Sequence, residues 1–246
     1  DVHGCMHELE ALLEQLKPVA GDHIHFIGDL VDRGPDSAGV IRRVRKILQH
    51  FPGSVCIAGN HEDKLLRNRA RGKTLPDWSQ ELSADDWTFL AKLPLVHRLP
   101  QHAAIMVHGG FFPAFFAAYG ELGEVPADWR TAGGKRADRL RRFLRIRQVN
   151  QSGNMVSLFQ ATAADPHWSD VYDGREGFAF YGHDAVIDPP QPVLSQHAMN
   201  LDTGCCFGGS LTAAILYLGQ AAAAADTVSV PARKAYAKYL DSMSDE

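Results

Sequence analysis

Cysteine is scarce. The 246 residues hold four, at positions 5, 56, 205 and 206, with no Cys-x-x-Cys pair and no Cys/His zinc spacing. That excludes a disulfide-stapled scaffold and a zinc finger, and it favours a reducing compartment. A long apolar run is also missing. The nearest approach, residues 211–225, is broken by Thr212, Gly219 and Gln220, which excludes a membrane-spanning helix there. Neither sign of charge dominates: 25 Lys and Arg face 29 Asp and Glu, for a net charge of −4. A general coat for nucleic acid would need a basic excess, so any such contact has to be local. What is present is ordinary globular chemistry, 45% apolar and 22% charged, enough for one α/β domain with a sizeable core.

The chain opens on Asp1-Val2-His3-Gly4. A strand leading into Asp1, and any targeting segment, is therefore expected to lie upstream of it. Leu9, Leu12, Leu13 and Leu16 have helical spacing, stopped by Pro18. A strand is expected over residues 23–27. A helix then starts at Pro35-Asp36-Ser37, with the stripe Val40, Ile41, Val44, Ile47 and Leu48, and a second strand covers 54–58. Residues 70–103 read as small helices and turns. Further strands are expected over 104–107, 178–181, 199–202 and 211–218. Residues 227–230 would pair with the last of these across a loop at 221–225, and 232–246 would form a helix. This order of strand, polar loop and helix predicts an α/β fold. The irregular stretch 111–176 reads as an insertion over one end of the sheet, within a single domain spanning residues 1–246.

Five expected strands end in polar clusters: Asp1-Val2-His3-Gly4, Gly28-Asp29-Leu30-Val31-Asp32-Arg33-Gly34, Gly59-Asn60-His61-Glu62, His108-Gly109-Gly110 and Gly182-His183-Asp184. Ligands of open α/β sheets gather beyond the carboxyl ends of strands, so five such clusters can converge on one site. Carboxylates, imidazoles and an amide suit borderline divalent metals. Taken singly, each cluster is ordinarily a turn or a helix cap. Five in order at strand ends are hard to reconcile with turns alone.

In these motifs the chain resembles the calcineurin-like metallophosphoesterases, whose signature joins DxH, GDxxDRG, GNHE and two later histidines. The resemblance is anchored over residues 1–65, 93–110 and 177–218. It implies a two-sheet sandwich flanked by helices and two divalent metal ions, manganese first, with iron or zinc as alternatives. By the same resemblance Asp1, His3 and Asp29 hold one metal, and Asp29, Asn60, His108 and His183 hold the other, with Asp29 bridging. His61 is then the general acid, Asp32 orients it, and Arg33 grips phosphate oxygens. A second phosphate-binding arginine is expected between the later histidines, with Arg147 chosen ahead of Arg145.

The wording around Asp29 and Asn60, and the late Leu201-Asp202-Thr203-Gly204-Cys205-Cys206-Phe207-Gly208-Gly209, resemble the diadenosine-tetraphosphatase (ApaH-like) branch more than Ser/Thr protein phosphatases. The implied activity is metal-dependent hydrolysis of a phosphoester or phosphoanhydride, with a nucleoside polyphosphate as substrate. A phosphoprotein or capped RNA is the alternative substrate, and an inactive scaffold the alternative outside enzymes. No membrane partner is expected, and the location is expected to be intracellular, in the cytoplasm. Residues 135–147 hold seven basic side chains against Asp138. Either a solvated helix face or a grip for polyphosphate follows, the latter through Arg139 and Arg142. Trp168 and Tyr172 either pack the insertion or stack on a base. Cys205-Cys206 reads as packing.

Overall fold

The computed structural model describes residues 1–239. The helices are α1 (Met6–Leu16), α2 (Ser37–His50), α3 (Asn60–Ala70), α4 (Ala84–Lys92), α5 (Pro113–Tyr119), α6 (Lys135–Arg141) and α7 (Trp168–Val171). The strands are β1 (Val96–Leu99), β2 (Ala104–Val107), β3 (Gln148–Val149), β4 (Met155–Val156), β5 (Phe178–Tyr181), β6 (Val193–Leu194), β7 (Ala198–Asn200), β8 (Ser210–Ile215) and β9 (Asp226–Pro231). Five strands form one mixed sheet in the order β1-β2-β5-β7-β6. Its centre is parallel, with Ile105 opposite Ala179 and Phe180 opposite Met199, and both edges are antiparallel. Because β2, β5 and β7 run the same way, their carboxyl ends share one edge. His108, His183 and Asp202 follow those three ends. β8 and β9 form a separate two-stranded ribbon that packs on α1. Among the described residues no helix is long and apolar enough to cross a membrane.

Helix starts follow local chemistry. Asp36 caps α2 by accepting from the Gly39 N–H at 2.7 Å, and Ser83 caps α4. Val40, Ile41, Val44 and Ile47 are all buried, as their spacing requires. In contrast, the strands expected over 23–27 and 54–58 shrink to one parallel bridge between Phe26 and Cys56. Side chains occupy the neighbouring ladder positions: the Ser54 hydroxyl accepts from Ile24 N–H and His25 Nδ1 from Val55 N–H. The pair still sets Gly28-Asp29 beside Gly59-Asn60. β8 also stops three residues short, and Tyr217 and Leu218 are exposed beyond it.

The helix expected over 232–246 is not formed in residues 232–238; residues 240–246 lie outside the described residues. Tertiary hydrogen bonds take over instead. Ala232 N–H donates to Gly209 O, and Tyr236 and Ala237 N–H both donate to Cys206 O, so the segment straps the 204–209 loop. Residues 111–176 contribute Phe111, Phe112, Phe115, Trp129, Phe143 and Trp168 to the same apolar cluster as α1 and α2.

Candidate metal centre

Backbone strain is concentrated where the motifs meet. Seven non-glycine residues among those described have positive φ, and five of them are His3, Asp29, Asp32, Arg33 and His183. Such conformations cost on the order of 1–3 kcal/mol each and persist only where the surroundings enforce them. Glu62 is one enforcer. Its carboxylate accepts from the N–H groups of Asp29, Leu30 and Gly59 at 2.8–3.0 Å. This ties the Asp29 loop to the start of α3. The loops touch so closely that a Cβ on Gly59 would lie 2.0 Å from Asp29 Oδ1. Glu62 belongs to the third motif, yet sequence reasoning assigned it no role.

The side chains named from the motifs come together. Asp29 is 1% exposed. Its Oδ2 lies 3.3 Å from His108 Nε2 and 3.6 Å from His3 Nε2, and its Oδ1 accepts from His61 N–H at 2.9 Å. Asp1 Oδ2 is 3.7 Å from His3 Nε2, and the Asp1 carboxylate also receives the His183 N–H. Asn60 Oδ1 faces His108 Nε2 at 2.9 Å and His183 Nδ1 at 2.8 Å. Donor atoms of His3, Asp29 and His61 lie within 4.8 Å of one another, and so do those of Asp29, His108 and His183. Asp29 belongs to both groups.

The chemistry of the donors fits cations. His3 Nδ1 lies 2.7 Å from Val31 O, and His108 Nδ1 lies 2.7 Å from Ile27 O. A carbonyl only accepts, so Nδ1 carries a proton in both rings; in the neutral ring this leaves an Nε2 lone pair that could ligate a metal, and at His3 it accepts from Arg33 in this structure. His108 Nε2 lies 2.9 Å from Asn60 Oδ1 and 3.3 Å from Asp29 Oδ2, so a cation placed there would meet three nitrogen and oxygen donors. Burial, reinforced by Arg33, pushes the His3 imidazole well below its ordinary range; burial, reinforced by Arg147, does the same to His183. Both rings are therefore neutral. Burial acts to raise the Asp29 carboxyl, but the imidazoles of His108, His61 and His3 outweigh it and hold it well below the carboxylate range.

His61 differs from the other imidazoles. Its Nδ1 is 2.7 Å from Asp32 Oδ2. Burial opposes its protonation, but the Asp29 carboxylate and the Asp32 hydrogen bond prevail and raise it above the ordinary histidine value. Arg33 donates from Nη1 to His3 Nε2 at 2.8 Å and stacks on Phe207, while its buried Nε has no partner among the described residues. Arg147 donates to Asp184 Oδ1 at 3.0 Å and to His183 O at 2.9 Å, which holds it beside the cluster. Arg145 turns to Asp63 and to Asn60 O, bracing the first turn of α3. His167, assigned no site role from its sequence context, has Nε2 3.5 Å from Asp184 Oδ2.

The basic stripe is largely spent within the fold. Arg136 donates to Leu122 O and Glu124 O, and Arg139 to Ala114 O. Arg141 donates to the carbonyls of Trp129, Arg130 and Ala132 and pairs with Asp138. The expected polyphosphate grip is corrected accordingly: Arg139 satisfies main chain, and Arg142 alone of that pair is exposed. Arg141→Ala should strip three carbonyls of their donor and cost about 1–3 kcal/mol of stability. Thermal unfolding should report a fall of several degrees, with KM for a phosphorylated substrate unchanged. A rise in KM at unaltered stability would restore the stripe to substrate binding. Trp168 and Tyr172 are packing residues: Trp168 is fully buried against Tyr181, and the Tyr172 hydroxyl donates to Gly177 O.

Comparison with known proteins agrees with this geometry. The sequence profile of the calcineurin-like phosphoesterases matches residues 1–202. A protein of Erwinia tasmaniensis named bis(5'-nucleosyl)-tetraphosphatase, symmetrical, is 30% identical, covering 86% of this chain and 90% of its own length. A protein of Oceanobacillus iheyensis named bis(5'-nucleosyl)-tetraphosphatase PrpE, asymmetrical, is also 30% identical, covering 87% of this chain and 85% of its own. A crystal structure of a provisionally assigned diadenosine tetraphosphatase superimposes with a TM-score of 0.70 at 27% identity, over 94% of this chain and 90% of that one. With its motifs gathered at one sheet edge and the profile matched across four-fifths of its length, the chain belongs to the calcineurin-like phosphoesterase family.

Proposed function

We propose that this enzyme hydrolyses a phosphoanhydride bond of a nucleoside polyphosphate, with diadenosine tetraphosphate the leading candidate. One observation carries the reading: Asp29 is shared by two buried groups of oxygen and nitrogen donors. Family membership brings divalent metal ions with it, and these groups are the residues that could hold them. Asp1, His3 and Asp29 are assigned to one ion, and Asp29, Asn60, His108 and His183 to the other. The donor mix accepts manganese, iron or zinc, with availability deciding, and the family resemblance puts manganese first. Bound there, such ions would polarise the phosphoryl oxygens and acidify a water.

The chain's own side chains do the rest. Arg33 offers a planar fork, and a buried N–H without a partner among the described residues, to the phosphoryl oxygens. Arg147, held by Asp184 and the His183 carbonyl beside the cluster, supports the same group. Arg145 is the weaker candidate because its guanidinium braces α3. His61 delivers its Nε2 proton to the leaving oxygen, and Asp32 holds the ring by Nδ1. The reading takes residues 1–246 as one domain in which 111–176 elaborates the core. It places the enzyme in a reducing intracellular compartment, in keeping with four unpaired, buried cysteines.

The relatives' names support the substrate class and disagree on the bond cleaved. The test is a panel on metal-reconstituted protein: diadenosine tetraphosphate, capped RNA, inorganic polyphosphate and phosphopeptides, with products separated by chromatography. Fastest turnover of diadenosine tetraphosphate is expected, and chelation should abolish it. ADP alone would indicate symmetrical cleavage, and AMP with ATP asymmetrical cleavage. Faster turnover of phosphopeptide would replace this reading with a protein phosphatase. No turnover of any substrate would leave the scaffold.

A further inference from the structure

A second group of metal-binding side chains lies apart from Asp29. Cys5 precedes α1, Glu8 lies in its first turn, and Cys205 sits in the loop after β7. One atom of each, two sulfurs and a carboxylate oxygen, lies within 4.8 Å of the other two. All three residues are buried, Glu8 completely. Cys5 and Cys205 are free thiols, not a disulfide.

Glu8 is the informative member. Its Oε1 accepts from Arg233 N–H at 3.0 Å and from the Tyr236 hydroxyl at 2.8 Å. Its Oε2 is equally buried and has no partner among the described residues. Leaving a charged acceptor buried and unpaired is costly, and proteins normally resolve it with a donor or a cation. One oxygen of this carboxylate lies within 4.8 Å of the Cys5 and Cys205 sulfurs, and thiols are weak donors but strong ligands once their protons leave.

We propose that Cys5, Glu8 and Cys205 form a third cation site, selective for a thiophilic divalent ion of the zinc class. Two sulfurs and one oxygen make a soft donor set, unlike the all-oxygen-and-nitrogen groups around Asp29. A tetrahedral zinc with bonds of about 2.0–2.3 Å places its ligand atoms about 3.5–3.8 Å apart. The cluster therefore needs to contract by roughly an ångström at most, and a single enclosed water would have to take the fourth position. On binding, each thiol releases its proton to solvent and no redox change occurs. An ion here would clamp three segments together. Cys5 lies two residues after His3, Cys205 three after Asp202, and Glu8 holds the 232–236 strap. The site would thus fasten the His3 loop to the loop after β7 without contributing to the Asp29 centre. The spacing between residues 5 and 205 explains why no zinc motif is visible in the sequence.

Cobalt titration of the full, metal-stripped chain tests this, because sulfur-to-cobalt charge transfer absorbs in the near ultraviolet and oxygen and nitrogen ligands give no such band. Wild type should bind one ion beyond those held by the oxygen and nitrogen donors, and that ion should raise the sulfur band. Cys5→Ser and Cys205→Ala should each remove the band and that one ion. Cys56→Ser, which alters a buried thiol outside the cluster, should keep both. Glu8→Gln should weaken this ion by about 10–100-fold. No sulfur band in wild type overturns the site, whatever happens at the Asp29 centre. So does a band that survives Cys205→Ala. If Cys5→Ser fails to fold, the wild-type spectrum and the Cys205→Ala and Glu8→Gln variants still decide.

Discussion

Asp29→Asn should lose bound metal from both donor groups and slow turnover by about 10³-fold or more. Loss of a supporting partner around a metal typically costs about 10–100-fold, and a ligand shared by two ions should cost more. The argument rests on charge and not on shape. The amide is the same size as the carboxylate, so the packed contact with Gly59 survives. The strained φ at this position is also one that Asn tolerates better than most residues. What disappears is the negative charge facing His108 and His3 at 3.3 and 3.6 Å. The amide can also turn an N–H₂ toward the lone pairs on which a metal would depend. Elemental analysis of the purified variant, set beside its rate, decides the matter. Two full equivalents with an unaltered rate would show that Asp29 bridges nothing.

What was legible in the sequence was local. Each motif sets Asp, Asn or His beside glycine at a turn, after a strand for His108 and His183 and after a single bridge for Asp29 and Asn60. That local chemistry is encoded without help from the rest of the chain. The parallel run of β2, β5 and β7 then brings distant motifs to one edge, as strand-loop-helix order implies. The less legible features depend on partners far away in sequence. The strands expected over 23–27 and 54–58 give way because Ser54 and His25 side chains replace their ladder bonds. The apolar and basic pattern of 135–147 marks a helix. It does not say that carbonyls of residues 114–132 will claim its guanidinium groups. The helix expected from residue 232 gives way, over residues 232–238, to bonds from 232, 236 and 237 to Gly209 and Cys206. Glu62 looked like the last letter of a motif. Its role emerges only when three N–H groups from two loops are seen to point at it.

His61→Ala should slow turnover of a poor-leaving-group substrate by about 10²–10⁴-fold while metal content is largely kept. His61 follows Asn60 directly, and its main-chain N–H is fixed by Asp29 Oδ1. The backbone therefore places the ring against the donor groups. Asp32 engages Nδ1, which leaves Nε2 to face the reacting bond. Because Asp29 and Asp32 together raise the imidazole above its ordinary value, the protonated form is available near neutral pH. Proton donation matters in proportion to the basicity of the departing oxygen. The loss should therefore be large for an alkyl phosphate, intermediate for a nucleotide leaving group and small for p-nitrophenyl phosphate. Asp32→Asn should show the same ranking at lower amplitude, since it frees the ring without removing it. The donor groups also include a His61 nitrogen within 4.8 Å of His3 and Asp29, which leaves a ligand role as the rival. A ligand's loss would empty a metal site and slow all three substrates alike. Equal losses on the alkyl and p-nitrophenyl esters, together with a missing equivalent of metal, would move His61 from proton donor to metal ligand.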